Sequence, residues 1–299
     1  MIRRIGLALA LMAAGCAERP AARPPAPPPP VQAVPILRPI ERVEPREFAF
    51  QGALTQGGIA IGQAPPGARA VFLDGESVPI SPDGRFLIGF GRNAKPTAIV
   101  EALLPDGVRA RQTINIAPRV WRVESIPQLH RAPPGAPIDP AAAARRAAEV
   151  ERIHAARAHA SDLMNWTERF VWPVTGRIAG VYGSQRILGG VPSAPHFGVD
   201  IARPAGTPVH APAGGRIVLA SPPRYSLEGN MVFIDHGHGL VSILLHLSRV
   251  DVVVGQHVRQ GDTIGAVGMT GRATGPHLHW AMSWGEVKVD PQLLVPSRQ

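Results

Sequence analysis

The sequence predicts a mainly β protein, with two β regions joined by one α-helix. Three observations point there. Pro and Gly number 33 and 32 in 299 residues while aromatic residues make up 5%, a mix that suits short strands and many turns. Asp-Gly pairs recur between apolar runs from Ala70 to Ile116, and that pattern marks hairpins. A single long stretch, Ala141 to Ala160, contains neither Gly nor Pro. The length favours about two domains, and 45% hydrophobic content suffices for packed cores.

The first sixteen residues read as an export signal. Met1-Ile2-Arg3-Arg4 is a short positive segment, and Ile5 to Gly15 is apolar but too short to span a bilayer. Small residues lead directly to Cys16, the only cysteine, in a pattern that resembles a bacterial lipobox. That resemblance implies cleavage before Cys16 and lipidation on it. The rival reading is ordinary secretion, with cleavage after Ala14 or Ala17. Either way the mature protein is exported and free of disulfides. Ala17 stands where an Asp holds Gram-negative lipoproteins at the inner membrane. The expected address is therefore the cell envelope, on the periplasmic face of the outer membrane, with the lipid as membrane anchor.

Residues 17–45 are Pro-dominated, including Pro24-Pro25-Ala26-Pro27-Pro28-Pro29-Pro30, and predict an extended linker rather than a core. Residues 46–118 predict a small immunoglobulin-like β-sandwich. Ala70-Val71-Phe72-Leu73 turns at Asp74-Gly75, and Arg85 to Phe90 follows the turn Ser81-Pro82-Asp83-Gly84. Thr97 to Leu104 turns at Pro105-Asp106-Gly107 into the alternating run Val108 to Ile116. Residues 119–169 predict a linker holding a helix at about 140–164, opened by an Asp139 cap and Pro140. His154 and His159 lie five apart on that helix, on different faces, and are expected at the surface.

The formal charge of +9 suggests an anionic partner. Arg is spread along the chain rather than interleaved with aromatics, so nucleic acid is not expected.

Residues 170–299 carry the chemistry. Pro195 and Gly198 argue against a helix around His196 and Asp200, and Val199 and Ile201 favour a strand. Residues four apart on a strand share a face, so His196 and Asp200 can converge on one ion. His277 and His279 share a face for the same reason. Imidazole and carboxylate are good zinc ligands, and three protein ligands with one open position mark a catalytic rather than a structural site. His236 and His238 have similar spacing but sit in a turn phrase. His210 and His257 lack partner spacing and are expected at the surface. Asn230, ahead of a strand, is a weaker candidate for substrate contact. The glycines from Gly261 to Gly268 lack a phosphate-loop Lys and are expected to serve turns.

Over roughly Phe170 to Leu294 the chain resembles the lysostaphin/LytM-type zinc metallopeptidases. Besides the His motifs, it shares the phrases Gly198-Val199-Asp200-Ile201-Ala202, Gly206-Thr207-Pro208-Val209, Val232-Phe233-Ile234-Asp235-His236-Gly237 and Val258-Arg259-Gln260-Gly261-Asp262. The resemblance implies an antiparallel β-sheet catalytic domain with zinc held by His196, Asp200 and His279. It implies that His246 and His277 flank a zinc-activated water or steady the transition state. One departure is Leu244, where the family often has Tyr two residues before the catalytic His.

The resemblance implies a zinc-dependent metalloendopeptidase that hydrolyses peptide cross-links of bacterial peptidoglycan. A non-catalytic regulator of other wall hydrolases, with cell-envelope protein partners, is the alternative. A protease acting on secreted proteins is a third reading. The Gly-containing segment Gln185 to Ala194 is expected to be a flexible loop able to occlude the groove.

Overall fold

The computed structural model describes residues 43–44, 47–126 and 139–297. Cys16 and residues 24–30 lie outside the described residues. The described residues belong to one compact unit. Among the described residues, no helix is long and apolar enough to cross a membrane.

The fold is mainly β. In the N-terminal part, one sheet runs in the order Val43–Glu44, Arg109–Asn115, Thr97–Leu103, Ala70–Leu73, Glu76–Val78. The other holds Ala49–Gly52, Ile59–Gln63 and Arg85–Gly89. The two sheets close over Val71, Phe86, Ile88, Val100, Ala102 and Ala110. Asp74 and Gly75 both take positive φ, 49° and 89°, as a tight two-residue hairpin requires. Ala49–Gly52 and Ile59–Gln63 were not singled out from sequence, because Ala, Gly and Gln blur their alternation.

The Arg85–Gly89 strand is buried on both faces. Phe86 and Ile88 face the sandwich, while Leu87 joins Ile59 in the core of the C-terminal region. Gly89 permits this approach: a Cβ there would lie 3.1 Å from the Trp284 side chain. Arg119 closes the same junction with a 2.8 Å ion pair to buried Asp290.

The C-terminal sheet runs in the order Arg177–Gly180, Val199–Ala202, His277–Trp284, Leu240–Leu247, Asn230–Asp235, Gly215–Ala220, His257–Val258. Every neighbouring pair is antiparallel, and Val287–Val289 folds back onto His277–Trp284. Ile201, Ile217, Val232, Leu244, Leu278 and Trp280 point into one fully buried core. The opposite face carries Phe233, Val241, Ile243 and Ala281, covered by Ile153 and Ala156.

Those two residues belong to the helix Pro140–Arg157, capped by Asp139 through a 3.1 Å bond from the Ala141 N–H. The helix ends seven residues before Met164, with a 3-10 turn at Asn165–Thr167. It covers the part of the face that carries Phe233, Val241, Ile243 and Ala281, and His279 lies one alternation from Ala281 on that same face. Gln185–Leu188 is not a flexible loop: it pairs with Val191–Pro192 and, in parallel, with Val123–Ile126.

Candidate metal centre

Asp200, His279 and Leu245 lie directly opposite one another on three adjacent strands. Directly opposed residues share a face, so Asp200 and His279 are neighbours by register. His277 precedes His279 by one alternation and joins them. His196 arrives differently. It lies outside the strand Val199–Ala202, so alternation does not place it. Its backbone pairs with a turn instead: His196 N–H bonds to Ser184 O and Gly183 N–H to His196 O, both at 2.8 Å. The expectation of one strand bearing both His196 and Asp200 is corrected, although the two side chains do converge.

His246 breaks alternation as well. Leu244 pairs with Trp280 and faces the core, fully buried. Regular pleating would send His246 to that same side. A left-handed φ of 64° turns it to the site face instead. Such a conformation costs a non-glycine residue about 1–2 kcal/mol and persists only where its surroundings hold it. Here the His246 N–H donates to Glu228 O at 3.0 Å and its Nδ1–H to Thr270 O at 2.8 Å. Leu244 itself offers nothing to a substrate.

Three donor atoms converge, from His196, Asp200 and His279, all within 4.8 Å of one another. His196 Nε2 lies 3.1 Å from both Asp200 Oδ1 and His279 Nδ1, and the latter two are 2.8 Å apart. Donors about 2.0–2.1 Å from a tetrahedral zinc would be about 3.3 Å apart, so the cluster is close to that spacing. The His196 Nδ1–H is committed to Val181 O at 3.1 Å, which turns Nε2 toward the cluster. Gly198 and Gly180 make room: a Cβ would meet His279 Nε2 at 2.6 Å and Asp200 Oδ2 at 2.4 Å, respectively. The donor set therefore fits zinc.

His277 and His246 flank the cluster, with ring centroids 4.9 Å apart. His277 Nδ1–H bonds to Gly275 O at 2.8 Å, and its Nε2 lies 3.8 Å from Asp200 Oδ1. Both rings are thus oriented by backbone carbonyls through Nδ1, which frees Nε2. Burial pushes the His246 pKa down to about 4, against the Thr270 hydrogen bond, so its ring is neutral at pH 7. Burial raises the Asp200 carboxyl, but hydrogen bonds from His196 and His279 outweigh it and hold the pKa far below the carboxylate range. Burial opposes charge on His196, but the hydrogen bond and charge of Asp200 prevail and raise it.

Helix Pro140–Arg157 supports His246 through a chain of contacts that sequence reasoning missed. Arg146 makes a two-pronged pair with Glu228, at 2.6 and 2.8 Å, and Glu228 O is the acceptor for His246 N–H. Buried Glu149 accepts from Ser226 N at 2.9 Å, from the Ser226 hydroxyl, from Arg145 Nε at 3.0 Å and from Arg146 Nη1 at 3.3 Å. Burial pushes Glu149 up, yet these donors bring its pKa down to about 2. The Arg145/Arg146/Glu149 spacing was a readable helical pair; the loop it holds was not.

The other histidines are elsewhere. His236 is fully buried, donating Nδ1–H to Gly214 O at 2.6 Å and accepting at Nε2 from the Ser242 hydroxyl at 2.8 Å. His238 is buried against Trp166. His159 is half-buried rather than at the surface, paired at 3.0 Å with Asp235. His154 and His257 are exposed; His210 is half-buried and bonds to Gly261 O. Asn230 spends its side-chain amide on Leu247 O at 3.1 Å.

Residues 194–291 match the model of peptidase family M23. The chain is 40% identical over 118 residues to peptidoglycan DD-endopeptidase ShyA of Vibrio cholerae, covering 40% of this chain and 24% of that protein. It is 44% identical over 96 residues to DD-carboxypeptidase/endopeptidase Mpg of Neisseria meningitidis, covering 32% and 22%. The chain thus spans about a quarter of the length of these relatives. A solved Pseudomonas aeruginosa structure assigned to peptidase M23 superposes with a TM-score of 0.62 at 29% identity, covering 82% of this chain and 96% of that one.

Proposed function

Because the chain carries a peptidase family M23 domain at residues 194–291, we propose that it is a zinc-dependent endopeptidase that cleaves peptide cross-links of peptidoglycan. The observation that carries the reading is the convergence of His196, Asp200 and His279, flanked by two imidazoles whose Nε2 atoms are free. The names of the two curated relatives support peptidoglycan as substrate.

His196 Nε2, Asp200 Oδ1 and His279 Nδ1 would hold the metal. When bound, zinc supplies Lewis-acid activation of water and of the scissile carbonyl. His246, neutral and with Nε2 free, takes the proton from the attacking water and returns it to the departing amine. His277, its ring beside that of His246, would donate from Nε2 to the developing oxyanion when that nitrogen is protonated. The Thr270 and Gly275 carbonyls keep both rings in register for these transfers.

Export, lipidation at Cys16 and a place at the outer membrane follow from the signal-like N-terminus and suit this substrate. The N-terminal sandwich at 46–118, set off by the Pro-rich 17–45, would serve as a wall- or partner-binding module. Zinc-loaded protein should release peptide fragments from purified sacculi; intact sacculi at full zinc occupancy would overturn the reading. Full complementation of a deletion strain by His246→Ala would establish the alternative, a non-catalytic regulator. Digestion of denatured protein but not sacculi would establish a general protease.

A further inference from the structure

Three hydrogen bonds tie His196 to one short turn. Its N–H donates to Ser184 O and its carbonyl accepts from Gly183 N–H, both at 2.8 Å, while its Nδ1–H donates to Val181 O at 3.1 Å. These three partners lie outside any strand, so the turn has no ladder of its own to hold it. The N-terminal sandwich holds it instead. Arg92 sits in the turn between the strands Arg85–Gly89 and Thr97–Leu103, 91 residues from Gly183 in sequence. Its Nε donates to Gly183 O at 2.8 Å and its Nη2 to Gln185 Oε1 at 3.4 Å. Gly183 thus accepts from a charged donor of the sandwich and gives its own N–H to His196. Such charge-assisted bonds are stronger than neutral ones. The Gln185 N–H is fixed from the same direction, donating to Arg122 O at 2.9 Å.

Packing grips the same glycine. Gly183 has a φ of 81°, and a Cβ there would collide with the Trp121 ring. The indole therefore rests directly on the Gly183 backbone. Two guanidinium groups lie over that indole, Arg119 at 4.7 Å and Arg92 at 5.3 Å from the ring centroid. Arg119 is fixed in turn by Asp290 at 2.8 Å and by Gln56 O at 3.3 Å. On the catalytic side, Tyr182 meets Trp121 at 5.7 Å and Phe197 at 5.9 Å between ring centroids. Its hydroxyl donates to Lys288 O at 2.7 Å. The turn that carries His196 is thus clamped between the sandwich and the catalytic sheet.

We propose that Arg92 is a positioning residue for His196 as a zinc ligand, acting through Gly183, with Trp121 holding that glycine by packing. The sandwich then takes part in the metal centre itself, besides any role as a wall- or partner-binding module. Outer partners that orient a metal ligand are typically worth about ten- to a hundredfold in affinity. Arg92 acts one residue further out than such a partner, so about three- to tenfold is expected of it. The proposal rests on the zinc reading for the ion, but not for the placing of His196.

The test uses the full-length chain with Arg92→Gln, with Trp121→Ala as a second variant and Leu87→Ala as control. Leu87 joins the sandwich to the C-terminal core, so its truncation loosens the junction by packing rather than at the turn. Competitive zinc titration should show affinity about three- to tenfold weaker in Arg92→Gln and Trp121→Ala, and within about twofold of wild type in Leu87→Ala. The melting temperature should fall most in Leu87→Ala. Amide hydrogen exchange on zinc-free protein reads the turn without the ion. Arg92→Gln should speed exchange at Gly183 and His196 about fivefold or more and leave the strand Val199–Ala202 unchanged. If wild type takes up no zinc but exchange responds in this way, the zinc reading fails and the positioning role stands. If wild type binds zinc and Arg92→Gln binds it equally well, or exchange at the two amides is unchanged, the positioning role is overturned. A loss of affinity in Leu87→Ala equal to that in Arg92→Gln would also overturn it, because Arg92 would then only dock the sandwich.

Discussion

Gly198→Ala should cripple metal binding without unfolding the protein. A Cβ at position 198 would lie 2.6 Å from His279 Nε2, 2.7 Å from its Cε1 and 2.8 Å from Trp280 O. Ordinary van der Waals contact starts at 3.4 Å, so the ring must retreat by about 0.8 Å. It cannot retreat freely, because its Nδ1 belongs to the donor cluster and lies 2.8 Å from Asp200 Oδ1. Metal–ligand distances tolerate about 0.2 Å, so a shift of that size removes or badly distorts one of three ligands. The expected loss is at least ten- to a hundredfold in zinc affinity, about 1.4–2.7 kcal/mol. Overpacking adds about 1–3 kcal/mol to the stability cost. Competitive zinc titration against a chromophoric chelator measures the first quantity, and urea unfolding the second. Gly91→Ala is the control, since its nearest contact is an ordinary 3.8 Å. Zinc affinity of Gly198→Ala within twofold of wild type would refute the placement of His279 among the ligands.

Three further predictions follow from the same geometry. His246→Ala should keep zinc and lose about 10²–10⁴-fold in turnover of sacculi, because it removes a proton acceptor and no ligand; a parallel loss of zinc would contradict its assignment. Glu149→Gln weakens the hold of the helix on Ser226 and Arg146, and through Glu228 on His246; kcat should fall about three- to tenfold with KM and zinc affinity unchanged, and a loss confined to thermal stability would show a purely structural role. His236 has its pKa lowered by burial to about 4, against about 6.5 when unfolded, so the unfolded chain binds more protons between those values. Its contribution to stability is complete above about pH 6.5 and declines as pH falls toward 4, by about 2 kcal/mol at pH 5. Urea unfolding at pH 7 and pH 5 should show this drop in the native protein and not in His236→Gln; equal drops would refute it.

The parts of the fold legible in sequence are those set by local chemistry. Asp74-Gly75 and Pro105-Asp106-Gly107 dictate turns whatever surrounds them, and Asp139-Pro140 opens a helix by its own hydrogen bonding. Register accounts for Asp200 beside His279, and the alternation of His277 with His279 was readable. His196 and His246 were not placeable by alternation. One is held by a turn at Gly183–Ser184 and the other by a left-handed residue, both stabilised by contacts remote in sequence. The double burial of Arg85–Gly89 depends on a second core that no local pattern announces. For the same reason Glu149, Arg146 and Thr270 went unnoticed as supports of His246. Gly198 was noticed as part of a shared phrase; its physical role, leaving space for the His279 ring, needed the packing.

The proposed zinc at His196, Asp200 and His279 would make the chain a cell-wall endopeptidase. The most direct measurement is mass analysis of products from sacculi incubated with protein carrying one zinc, beside zinc-free protein and Asp200→Asn. New peptide termini at cross-links, from the zinc-loaded native protein alone, are the predicted result. Equal release by the zinc-free protein, or no release at full zinc occupancy, would contradict the account.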